Sequence, residues 1–294
     1  MCFDAIIFDI DNVLVDTRAS YTDCIIKTVN TYLETILKFQ PSRKPLLNRR
    51  DVEIFKSLGG FNDDWDTCYG LLLYFLSLKL KKRTLNELQS KKNIQALKLK
   101  IIPPFFPPPK MGEGRQRVGV KGIEKLFGKH PHVTLKQIAD IFQRFYLSNF
   151  VWNESLIIPA TFLKQLKKSG LKLGIVTGRN REEADFALRR FQIDRFIDAM
   201  ITVDETPQKF KKPHPYGLLK AASQLGKNLK FLYVGDLPDD ILSAKAAKKK
   251  IKISSCGFLK ASSQTREMKR EFKKLKADYI CANVKELKKI IGLT

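Results

Sequence analysis

A chain of 294 residues with 54 Lys and Arg against 30 Asp and Glu carries a formal charge of +24. Its length supports one large α/β domain or a core domain with a companion, and its charge favours solubility without naming a partner. Five scattered cysteines (Cys2, Cys24, Cys68, Cys256 and Cys281) form no CxxC pair, which argues against a disulfide framework and a thiolate metal site and fits a reducing cytoplasm. No run approaches the roughly 18 apolar residues of a membrane span, and the opening MCFDAIIFDIDN lacks a basic start, so a cytoplasmic protein with no membrane partner is expected.

Six runs rich in Ile, Val, Leu and Phe read as strands covered on both faces: AIIFDI (5–10), KLGIVTG (172–178), AMITVD (199–204), KFLYVGD (230–236), IKISSC (251–256) and DYICAN (278–283). From the second strand onward, helical patterns such as REEADFALRRFQI and PDDILSAKAAKKK fill the intervals. Alternation of this kind predicts an α/β fold with a doubly wound parallel sheet and right-handed crossovers. The first connection is far too long for a simple crossover. Its apolar residues recur at helical spacing in SYTDCIIKTVNTYLETIL, WDTCYGLLLYFLSLKLKK and TLKQIADIFQRFYLSNF. Residues 17–154 therefore read as an inserted α-helical domain, with 1–16 and 155–294 forming the core. Within the insert, IIPPFFPPPKMGEGRQRVG (101–119) has five prolines followed by three glycines and must form a loop or extended excursion.

In a doubly wound sheet, ligands bind outside the carboxyl ends of the strands. Asp9 and Asp11 fall there after the first strand, two residues apart, so their side chains point the same way. Two like charges so close need a cation or a shared proton; the bland alternative is a turn cap. Three further strand-end features occur in order. Thr177 and Gly178 follow the second strand, where a hydroxyl and backbone amides can hold a phosphoryl group. Lys212 precedes Pro213, which reads as a helix start. Asp236 and Asp240 follow the fourth strand as oxygen donors of the kind Mg²⁺ prefers. Each feature alone has a structural explanation; all four in order by chance is improbable.

Together DIDNV, VTG, KKPHP and GDLPDD resemble the four motifs of the haloacid dehalogenase superfamily, in its phosphatase branch with a helical cap after the first motif, phosphoglycolate phosphatase-like. Asn12 departs from the Gly of many relatives but tolerates the same backbone. The resemblance implies a HAD-like Rossmannoid core and hydrolysis of a small phosphorylated metabolite, of phosphoglycolate or sugar-phosphate type. By it Asp9 is the nucleophile, Asp11 the acid and base, and Thr177 and Lys212 the groups that neutralise phosphoryl charge. Mg²⁺ is held by Asp9, Asp11 through its carbonyl, and Asp236, with Asp240 orienting ligands. Substrate contacts are expected from Gly178 and, in the cap, from Arg18, Lys56, Asn62 and Trp65. Around those last three, KSLGGFNDDWD reads equally well as a capped turn between helices, and Arg18 as a surface arginine. Asp16 marks the exit to the cap without a catalytic role. His130, His132 and His214 lack metal-ligand spacing and read as structural. A phosphomutase is the alternative chemistry. A nucleic-acid-associated protein is the other, but the basic stretches AKAAKKKIK and TREMKREFKKLK lack interleaved aromatics, so no specific nucleic acid is expected.

Overall fold

The computed structural model describes residues 3–61, 63–97, 118–226, 228–262 and 265–293. Asn62, Cys2 and nearly all of the proline- and glycine-rich stretch at 101–119 lie outside these. The chain divides into two compact units, Arg18–Glu154 and Met1–Thr17 with Ser155–Thr294.

The contiguous unit is helical among its described residues: α1 (Asp23–Thr31), α2 (Arg49–Lys56), α3 (Asp64–Ser77), α4 (Leu85–Lys91), α5 (Gly119–Phe127) and α6 (Leu135–Ser148). At the starts of α2, α3, α4 and α6, polar residues satisfy backbone amides that the helices leave unpaired. Asn48 and Asp51 exchange hydrogen bonds of 3.0 Å at the start of α2, and Thr84 accepts from the Glu87 amide at 3.1 Å before α4. Apolar faces meet around Tyr32, Phe55, Phe75, Phe142 and Tyr146, all buried. This unit thus has a core of its own.

The second unit contains β1 (Ala5–Phe8), β2 (Val15–Asp16), β3 (Ser155–Leu156), α7 (Ala160–Lys168), β4 (Lys172–Val176), α8 (Arg181–Arg190), β5 (Ala199–Ile201), α9 (Tyr216–Leu225), β6 (Phe231–Gly235), α10 (Pro238–Ala247), β7 (Ile253–Phe258), α11 (Thr265–Lys274), β8 (Tyr279–Cys281) and α12 (Val284–Ile291). Six strands form one parallel sheet in the order β5-β4-β1-β6-β7-β8. All six strands expected from the apolar runs are present. Alternate residues of each strand face opposite ways, and helices cover both faces. Ile6, Phe8, Leu173, Ile175, Leu232 and Val234 pack with Phe162 of α7, Leu188 of α8 and Leu287 of α12. On the other face, Ile7, Val176 and Tyr233 pack with Leu218 of α9 and Ala244 of α10.

Two details place the site. The chain builds β4 and β5 on one side of β1 and β6 to β8 on the other, so the strand order reverses at β1 and its carboxyl end faces the crevice where such sheets bind ligands. In addition, β2 and β3 pair antiparallel, Val15 with Leu156 and Asp16 with Ser155. This ladder brings together the points where the chain leaves the second unit and returns to it. Asp16 therefore sits in a strand pair at the exit to the inserted unit. No described helix is long and apolar enough to cross a membrane.

Candidate active site

Asp9 is the first residue past β1, and its amide continues the ladder to Val234 O at 3.0 Å. Its carboxylate is 6% exposed as a residue and receives two donors: the Ile10 amide at 2.8 Å on Oδ1 and Lys212 Nζ at 2.7 Å on Oδ2. Lys212 comes from the loop between β5 and α9 and also lies 2.9 Å from Asp240 Oδ1. Asp240 accepts from the Tyr233 hydroxyl at 2.8 Å and from the Leu237 amide at 2.9 Å. One ammonium thus bridges carboxylates that follow two adjacent strands, β1 and β6.

Asp236 directly follows β6. Carboxylate oxygens of Asp9, Asp236 and Asp240 all lie within 4.8 Å of one another. Burial pushes Asp9 up to about 7; Lys212 opposes the rise, while Asp240 and Asp11 add to it. Asp236 is also raised well above the carboxylate range, by burial first and then by Asp240 and Asp9. Burial disfavours the charge on Lys212, but Asp240 and Asp9 outweigh it and hold the ammonium well above the usual lysine range. One ammonium serves three clustered carboxylates here, so burial and crowding together raise Asp9 and Asp236, and a second cation among these hard oxygen donors would relieve the crowding. That donor set fits a divalent ion such as Mg²⁺.

The close packing depends on Gly235. A Cβ there would stand 2.3 Å from Asp240 Cβ and 2.5 Å from Asp240 Oδ2, so the last residue of β6 must lack a side chain for Asp240 to reach its partners.

Asp11 lies in the turn after β1, where Asn12 adopts a left-handed backbone with φ +57°, a conformation Asn accepts more readily than most residues. The Asn12 amide donates to Val15 O at 2.7 Å, closing the turn. Asp11 Oδ1 is held by Arg179, whose Nε and Nη2 donate at 2.9 and 2.7 Å. Thr177, buried one residue past β4, donates its amide to Ile201 O at 3.0 Å, and its hydroxyl accepts from the Arg179 amide at 3.2 Å. Gly178 is exposed beside it.

The loop carrying Lys212 departs from the expected helix start. Helix α9 begins at Tyr216, three residues beyond Pro213, because His214 Nδ1 accepts from the Tyr216 amide at 3.2 Å and its carbonyl accepts from Ser243 at 2.9 Å. His214 is thereby structural, as its spacing suggested.

In the helical unit, Lys56 Nζ lies 2.5 Å from Asp64 Oδ1, Trp65 packs partly buried against the apolar core, and Asp63 accepts from the Trp65 amide at 2.9 Å to start α3. The capped-turn reading of this stretch describes that geometry. Arg18 opens the unit in a π-helical turn, Arg18–Thr22.

Two residues at the site escaped the sequence reading. Arg179 sits directly after VTG, a position that could have been flagged by its adjacency. Tyr233 lies inside an apolar strand, and nothing in the sequence separates it from its neighbours in the core.

A family model for haloacid dehalogenase-like hydrolases matches residues 3–248. Pyrophosphatase PpaX of Bacillus cereus is 38% identical over 86 residues, 29% of this chain and 39% of that protein, so the match spans well under half of the curated relative's length. Among solved structures, the fold resembles a candidate phosphoglycolate phosphatase from Lactobacillus delbrueckii subsp. bulgaricus, with a TM-score of 0.62, 16% identity and 99% of both chains covered. It also resembles phosphatase Tt82 from Thermococcus thioreducens, with a TM-score of 0.58, 22% identity and coverage of 84% of this chain and 90% of that one. With its sheet order, its strand-end acids and a match across most of its length, the chain belongs to the haloacid dehalogenase-like hydrolases.

Proposed function

We propose that this chain is a Mg²⁺-dependent phosphatase acting on a small phosphorylated metabolite through an aspartyl-phosphate. The observation that carries the reading is the constellation of buried Asp9 and Asp240 with half-buried Lys212 and Asp236 beyond the carboxyl ends of β1 and β6. An Asp9 oxygen attacks phosphorus in line, forming the acyl phosphate as the bond to the leaving oxygen breaks. Asp11 gives that oxygen its proton, then takes one from the water that attacks the aspartyl-phosphate and releases phosphate. Lys212 and the Thr177 hydroxyl compensate charge on the phosphoryl oxygens. Asp9, the Asp11 carbonyl and Asp236 would hold Mg²⁺, which when bound supplies positive charge to the same oxygens. Asp240 keeps Lys212 in place.

The substrate class follows the resemblance, phosphoglycolate or a sugar phosphate, and the name of the PpaX relative adds inorganic pyrophosphate to the compounds worth assaying. The cap role of the inserted unit, with substrate selection by Arg18, Lys56, Asn62 and Trp65, belongs to the same proposal; alanine variants should change kcat/KM between substrates without abolishing hydrolysis of a generic aryl phosphate. The central test is Asp9→Asn. Phosphate release from 4-nitrophenyl phosphate and Mg²⁺ should fall to background while the circular dichroism spectrum is retained; undiminished release would sink the mechanism.

A further inference from the structure

The geometry points to Arg179 as a positioning residue that sets which oxygen of Asp11 handles the proton, an inference that rests on the phosphatase reading above. Arg179 is an unusual side chain for a strand-end loop, because its guanidinium is only 1% exposed while its partner Asp11 is 30% exposed. A buried guanidinium is retained at a desolvation cost and needs a fixed partner. Its own backbone is fixed on both sides: the amide donates to Thr177 Oγ1 at 3.2 Å, and the carbonyl accepts from the Val203 amide at 3.1 Å. The planar fork then delivers Nε and Nη2 to one atom, Asp11 Oδ1. Neither bond uses Oδ2. Two donors from a rigid group converge on that one oxygen and fix where it lies, whereas one flexible ammonium would hold it less closely. Oδ1 is thereby committed to the scaffold, and Oδ2 is the atom presented to the leaving oxygen and later to water.

A group that positions a proton donor matters in proportion to how much the leaving group needs a proton. The test compares 2,4-dinitrophenyl phosphate, whose leaving oxygen departs unprotonated, with n-butyl phosphate, whose oxygen must be protonated. Arg179→Met should lower kcat for butyl phosphate by about 100-fold, within the usual range for general acid catalysis, and for the dinitrophenyl ester by less than about 5-fold, with KM little changed. In an Asp11→Asn background the same substitution should have almost no further effect on butyl phosphate, because the two residues act as a unit. Arg179→Lys keeps the charge but cannot place two donors on one oxygen; it should show the same leaving-group-selective loss in smaller measure, and it carries the test if Arg179→Met does not fold. Equal losses on both esters, a loss confined to KM, or additivity with Asp11→Asn would overturn the inference while leaving the phosphatase reading intact. Failure of the unaltered protein to hydrolyse either ester with Mg²⁺ would overturn the phosphatase reading, and this inference with it.

Discussion

Gly235→Ala puts the packing of the site to a direct test. The new Cβ would start 2.3 Å from Asp240 Cβ, so the aspartate or the end of β6 must shift by about 1 Å, a displacement of the overpacking kind that costs roughly 1–3 kcal/mol. Asp240 cannot move by itself. Its oxygens hold the Tyr233 hydroxyl at 2.8 Å, the Leu237 amide at 2.9 Å and Lys212 at 2.9 Å, and a buried partner left unsatisfied adds roughly 1–3 kcal/mol. Partial relaxation brings the combined effect to about 3 kcal/mol. Because the chain has two units, a single unfolding free energy is ill defined; hydrogen exchange at the β6 amides reads the local one. Those amides, at the centre of the sheet, should exchange about 100-fold faster in the variant, since 1.4 kcal/mol is a factor of ten. Gly178→Ala is the control, because a Cβ there meets nothing within 4 Å, and it should leave these rates unchanged. A change of less than about 3-fold in Gly235→Ala would refute the argument that Asp240 requires the glycine.

Two other outcomes are expected. Mg²⁺ should raise the melting temperature of the unaltered protein in a concentration-dependent way, and Asp236→Asn should remove the shift; an equal shift in the variant would take the metal away from these acids. Stability should also fall in acid through Glu205. Burial favours the neutral acid, but hydrogen bonds from Arg181 and Thr202 outweigh it and lower Glu205 to about 2. A carboxylate depressed in the folded state contributes stability above its unfolded value near 4.5, and loses it as pH falls toward 2. With the side chain 28% exposed, solvent screening reduces the contribution to about 1 kcal/mol. The urea midpoint should therefore drop between pH 5 and 3 more steeply in the unaltered protein than in Glu205→Gln; parallel curves would remove Glu205 from the account.

The sheet was legible because its inner strands β1, β4 and β6 are buried on both faces and so appear as apolar runs bounded by turn residues. Strand ends were less so. The run AIIFDI continues to Ile10, yet the strand ends at Phe8: the Asp9 amide makes one more bond to the neighbouring strand, and the chain then enters the turn with its left-handed Asn12. The β2–β3 ladder is only two residues on each side, too short for any periodicity to announce. At the site, Asp9, Asp236, Asp240 and Lys212 could be read from their position after strands, and the structure brings them together. Their pairing could not be read: that Lys212 bridges Asp9 and Asp240, or that Arg179 and not a backbone turn holds Asp11, depends on partners up to 203 positions away. Lys56 shows the converse. Its partner lies close in sequence, a carboxylate eight positions along the chain, within the stretch that the sequence reads as a substrate loop or a capped turn.

The central place of β1 has a consequence for how the protein is made. The first strand of the sheet to leave the ribosome hydrogen-bonds to β4 and β6, whose residues begin at Lys172 and Phe231. At synthesis rates of about 5–20 residues per second, the apolar segment Ala5–Phe8 waits roughly 10–30 s for its first neighbour. Meanwhile the contiguous Arg18–Glu154 unit emerges with its whole core available. Vectorial synthesis therefore favours completion of the inserted unit before the one that encloses it in sequence. Asp9 acquires its partner Lys212, 203 positions along the chain, only after the whole inserted unit has been made.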